Sequence, residues 1–143
     1  MSIGRRNMLS QRKSLKLRVK ALAACVPLLA VTITIACSNR ETEHYAAAMT
    51  GGEPSRGRTA LRRYGCSTCH TIPGVQGANA LVGPPLTQVA SRSYIGGVLP
   101  NTPDNMIHWI EDPPGIDHLT AMPNLGVTDQ DARDMASYLY TLK

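Results

Sequence analysis

The pentapeptide Cys66-Ser67-Thr68-Cys69-His70 constrains this chain of 143 residues more than anything else in it. Two thiols three positions apart lie about one helical turn from each other, and an imidazole follows directly on the second. That spacing suits two thioether bonds to the vinyl groups on one edge of a porphyrin, with the histidine brought under the iron. Two other chemistries use paired cysteines. A redox disulfide wants a strand-to-helix setting, whereas Gly65 here closes a helical stretch. A structural zinc site needs four ligands, and the remaining cysteines, Cys25 and Cys37, lie far upstream. The motif predicts one covalent haem c, attached at Cys66 and Cys69, with His70 as an axial ligand to the iron.

The formal charge of +5 suggests a nucleic-acid binder until its distribution is read. Seven of the fifteen basic residues fall between Arg5 and Lys20, where no acidic residue occurs. From Ser38 onward, eight basic side chains face ten acidic ones. The excess belongs to a leader, and no nucleic-acid partner is expected.

That leader continues as an uncharged apolar run from Ala21 to Ala36. The run is short for a membrane span, which needs about 20 residues, and suits a signal-peptide core. Residues 1–37 are expected to be a signal peptide, and an uncleaved anchor is the alternative. Ala36-Cys37 at the end of the run resembles a bacterial lipoprotein junction, so Cys37 is the candidate lipidation site. Leu22-Ala23-Ala24-Cys25 fits that box by letter but has no apolar core ahead of it. Arg5-Arg6 resembles a twin-arginine signal only faintly, and translation could start at Met1 or Met8. The mature protein is expected to be exported to the periplasmic side of a bacterial cytoplasmic membrane and held there by lipid or anchor.

Residues 38–52 end in two glycines and show no long apolar stripe, which predicts a flexible tether. Residues 53–143 form the folded domain. It is small enough to need a staple or a cofactor, and it holds no phenylalanine and one tryptophan, Trp109. Three helices are predicted. The first runs from about Pro54 to Tyr64 and stops at Gly65. The second starts with Thr102 and Pro103, exposes Met106, Ile107 and Ile110 to the core, and closes at Asp112-Pro113-Pro114. The third starts at Thr128 with Asp131 three residues on. Its apolar face is Ala132, Met135, Ala136, Leu139 and Leu142, and Gln130, Arg133, Asp134, Ser137 and Thr141 take the opposite face. No strand-like alternation appears. The fold class is all-α, three main helices with long loops around one covalent haem.

A second axial ligand has five candidates: Met106, Met122, Met135, His108 and His118. Met106 and Met135 sit on apolar helix faces, where methionine usually packs. His108 falls on the polar side of its helix, and His118 reads as a loop histidine. Met122 lies off the helices, braced by Pro123, and is the preferred ligand.

With the attachment motif, Gly83-Pro84-Pro85-Leu86, the methionine loop and the last helix in view, the chain resembles a class I cytochrome c from residue 53 to its end. The resemblance implies that the first and last helices cross, Ala60, Leu61 and Tyr64 meeting Met135, Tyr138 and Leu139. It implies that the Pro84 carbonyl accepts a hydrogen bond from His70. It also implies that Arg92, Tyr94, Trp109 and Thr120 bind the haem propionates. The segment is similar to cytochrome domains associated with haem-copper oxidases. The implied function is a non-enzymatic single-electron carrier with His70 and Met122 on iron. Its partners would be redox proteins: a respiratory dehydrogenase, a cytochrome complex or a terminal oxidase. A haem subunit dedicated to one dehydrogenase or oxidase is the alternative, followed by a haem peroxidase or ligand sensor.

Overall fold

The computed structural model describes residues 39–143. The leader, with Cys25 and the lipidation candidate Cys37, lies outside the described residues.

Residues 39–50 are helical (α1), not the flexible tether expected for 38–52. Three alanines and two glutamates, good helix formers, fall among its twelve residues. What fixes the helix is burial of one narrow stripe: Ala46 is 1 % exposed and Thr50 is 2 % exposed. The Thr50 hydroxyl donates to the Ala46 carbonyl at 2.9 Å. Gly51, with φ +68°, ends the helix, and its N–H donates to the Ala47 carbonyl at 2.9 Å.

The second helix, α2 (Pro54–Arg63), begins on a proline at its first position, where a missing N–H costs nothing. It packs across α5 (Asp129–Tyr140). Ala60 and Leu61 are buried as expected, and Gly57 lets the two helices approach closely. A Cβ there would stand 1.8 Å from the Asp134 carbonyl oxygen. Gly52 makes a similar approach, its would-be Cβ 2.1 Å from the Arg133 carbonyl oxygen. Two chain segments therefore cover α5 on the side predicted to face water, and Asp134 and Ser137 are buried. Asp134 accepts from the Glu53 N–H at 2.7 Å, from Arg56 at 2.7 and 2.9 Å, and from Gln130 at 3.1 Å. Burial alone would raise its pKa. These hydrogen bonds outweigh it and hold the carboxyl below its ordinary value.

Between α2 and α5 the chain runs through loops. Two single turns of 3-10 helix occur at Cys66–Thr68 and Val89–Ser91. A two-residue antiparallel ladder pairs β1 (Tyr94–Ile95) with β2 (Leu99–Pro100). The ladder is too short to add a layer, and the fold is all-α. Thr102 caps α3 (Pro103–Glu111), its Oγ1 accepting the Asn105 N–H at 3.3 Å. Pro113 and Pro114, expected only to stop α3, also open a short helix, α4 (Pro113–Ile116). The Thr128 Oγ1 accepts the Asp131 N–H and donates to the Asp131 carboxylate, which starts α5. That carboxylate also accepts from Tyr64 Oη at 2.8 Å, tying the end of α2 to α5. Tyr138 reaches elsewhere, donating to the Pro73 carbonyl at 2.6 Å.

Candidate functional site

The attachment motif is built by the way α2 ends. Gly65 takes φ +76°, a conformation that favours glycine, and turns the chain out of the helix. Cys66 to His70 then form one turn, with the His70 N–H donating to the Cys66 carbonyl at 3.0 Å. Both thiols are free and half-buried, and burial pushes the Cys66 thiol up from its ordinary pKa.

Segment 83–86 returns alongside this turn. The Gly83 N–H donates to the Cys69 carbonyl at 2.7 Å, and the Leu86 N–H to the Thr71 carbonyl at 2.8 Å. The pairing sets the Pro84 carbonyl 2.7 Å from His70 Nδ1. A carbonyl only accepts, so Nδ1 carries a proton, and in the neutral ring the lone pair is then on Nε2. Gly83 packs against the ring. A Cβ there would stand 2.4 Å from Cε1 and 3.0 Å from Nε2. Gly83 was not expected to act at the site, and its place directly before Pro84 is the only signal of that role in the sequence.

These residues line a largely apolar cavity of about 550 Å³. Cys66, Cys69, His70, Pro84, Arg92, Tyr94, Trp109, Thr120 and Met122 all reach it. So do Met106 and Met135, expected only to pack, whereas His108 and His118 do not. Met122 is half-buried in its loop, where its N–H donates to Thr120 Oγ1 at 3.2 Å. The loop is further tied by Asn124, whose side chain donates to Asp112 at 2.9 Å and accepts from the Gly126 N–H at 2.8 Å. Arg92, which lines the cavity, donates from Nη2 to the Pro85 and Thr87 carbonyls and so braces the loop that holds Pro84. The Trp109 indole is 9 % exposed and has no hydrogen-bond partner among the described residues. Gly96, with φ +57°, lies under it, and a Cβ there would meet the ring at 2.6 Å. This glycine was also missed, and the Gly96-Gly97 pair was its only trace in the sequence.

The donor set fits haem c. Two thiols and an imidazole share one turn, the imidazole presents one free nitrogen, and the walls are apolar. The Trp109 indole borders this space, and its N–H has no partner among the described residues.

Comparison with known proteins agrees. Residues 54–143 match the family described as Cytochrome c. A relative named cytochrome c oxidase subunit 2, from Alkalihalophilus pseudofirmus, is 30 % identical over 90 residues. The match covers 62 % of this chain but spans only a quarter, 25 %, of that relative's length. Cytochromes c bind covalent haem and use it in electron transfer, and this chain, on its matched residues and on the site they build, belongs to the cytochrome c family.

Proposed function

We propose that the domain is a single-electron carrier with one haem c, its iron held by His70 on one side and Met122 on the other. One observation carries the reading: His70 and the proline-braced Met122 face the same cavity, and His70 Nδ1 is already fixed by Pro84. The bound haem supplies an iron that gains and loses one electron. The chain supplies the rest. The Pro84 carbonyl orients the imidazole and raises its basicity. The Met122 thioether occupies the remaining position, which favours transfer over ligand chemistry, and as a weak donor it stabilises the reduced state. The apolar walls exclude water, so a change of charge meets little rearrangement.

A thioether on ferric low-spin haem gives a weak charge-transfer band in the far red. Met122→Ala should abolish that band, lower the potential and raise peroxidase-like turnover. Met106→Leu and Met135→Leu should keep the band and cost at most about 1.5 kcal/mol, as swaps that conserve volume. Retention of the band in Met122→Ala would refute the assignment.

The carrier is placed on the periplasmic side of a bacterial cytoplasmic membrane, lipidated at Cys37. The apolar run ending in Ala36-Cys37 supports that placement. Mass spectrometry of the membrane fraction should find a chain that starts at a lipid-bearing Cys37. An unmodified N-terminus elsewhere would remove the lipid anchor. Electrons would pass to or from a respiratory complex. The likeness to an oxidase subunit favours a terminal oxidase among the possible partners, or service to one such complex.

A further inference from the structure

Large apolar side chains are exposed at seven described positions, and six of them fall on three loops: Leu81 and Val82, Tyr94 and Val98, Leu119 and Leu125. The seventh, Tyr45, is on α1. Scattered exposed apolar residues are ordinary, but concentration around one feature is not. The feature is the cavity. Val82, Tyr94 and Leu125 belong to its wall while standing 81 %, 61 % and 40 % exposed, so the cavity opens between them. Leu81 and Leu119 are 80 % and 82 % exposed and do not line it. Filling the cavity therefore leaves them in water.

The same loops exclude charge. Residues 71–91, 93–103 and 119–128 contain no Asp, Glu, Lys or Arg. Between the first two stands Arg92, whose Nη2 is turned onto the Pro85 and Thr87 carbonyls. Among the described residues, the charged side chains otherwise lie on 40–63, 104–117 and 129–143.

We propose that these three uncharged loops form the docking surface for a redox protein that presents an equally uncharged, apolar face. The inference rests on the cavity being the haem site, because an electron leaves most directly where that site meets the surface. A charged partner face would gain no pairing here and would lose hydration on contact. Encounter is then driven by apolar contact instead of electrostatic steering, and salt has little influence on it.

A second copy of the holoprotein presents such a face, so electron self-exchange between ferrous and ferric copies, read by NMR line broadening, is the probe. The rate should change by less than about twofold between roughly 0.01 M and 1 M salt. Leu81→Glu and Leu119→Glu should each slow it by about tenfold or more, also at high salt, because a carboxylate must be desolvated at the contact. Both sites are exposed, so both variants should fold, and Tyr45→Glu, on α1 and not part of the cavity wall or of the three loops, should exchange like wild type. A steep salt dependence, or wild-type rates in both Leu variants, would overturn the proposal. So would a stable dimer, or adsorption to phosphatidylcholine vesicles abolished by Leu119→Glu, since each assigns the patch to a different occupant. The far-red band reads the coordination of the iron separately, so a failure there is not mistaken for a failure of the docking surface.

Discussion

At the scale of single residues, the imidazole of His70 has little freedom. Pro84 holds one nitrogen and Gly83 lies flat against the ring, where any side chain would collide with Cε1. Gly83 is not in the left-handed region that favours glycine, so its demand comes from the ring and not from the backbone. Gly83→Ala should therefore act on the haem ligand. It should yield less mature holoprotein, with a weakened far-red band and a shifted potential. Thr87→Ala, an exposed change in the same loop, should leave all three unaltered. Equal spectra for both variants would mean that the ring is free to retreat. The attachment residues and the proline were legible in the sequence because their chemistry demands fixed spacing. The glycines were not, because a glycine next to a proline looks the same whether it serves a turn or makes room for a ring.

At the scale of elements, α2, α3 and α5 were legible from caps and apolar periodicity, and their starts at Pro54, Pro103 and Thr128 are set by local chemistry. The stretch 38–52 was misread because periodicity searches look for large side chains. The face that α1 buries is made of Ala46 and Thr50, small residues that read as surface until something packs closely on them. The burial of Asp134 and Ser137 had the same origin: glycines at 52 and 57 let backbone approach α5 where a side chain would have kept it away. Ala46→Asp should destabilise the holoprotein by at least about 2 kcal/mol, since it buries a charge with no partner. Ala48→Asp, on the exposed side of the same helix, should be close to neutral. Denaturant titration distinguishes the two, and a flexible segment would tolerate both equally.

At the scale of the whole molecule, the centre of the domain is not closed by its own side chains. A cavity of about 550 Å³ is walled by residues from α2, α3, α5, the attachment turn and three loops. The cavity opens at the surface between Val82, Tyr94 and Leu125, so without a group to fill it its apolar walls face water instead of a core. Folding and haem attachment should be coupled. A Cys66→Ala, Cys69→Ala double variant without haem should lose cooperative thermal unfolding while retaining part of its far-UV helical signal. The mature protein should melt in one sharp transition. A sharp melt at the same temperature without haem would show that the helices alone close the core.

The helix at 39–50 would also limit how far a tethered domain could travel. Twelve residues of free chain extend to about 40 Å, enough for a leashed domain to sweep a hemisphere above its attachment point. The same residues wound as a helix span about 18 Å, and through Ala46 and Thr50 they belong to the body they would otherwise suspend. With an anchor at Cys37, as proposed, the helical form would shorten the reach of the domain above its attachment point. A partner whose electron entry port stands far above the membrane plane would then be out of range, however well its surface matched.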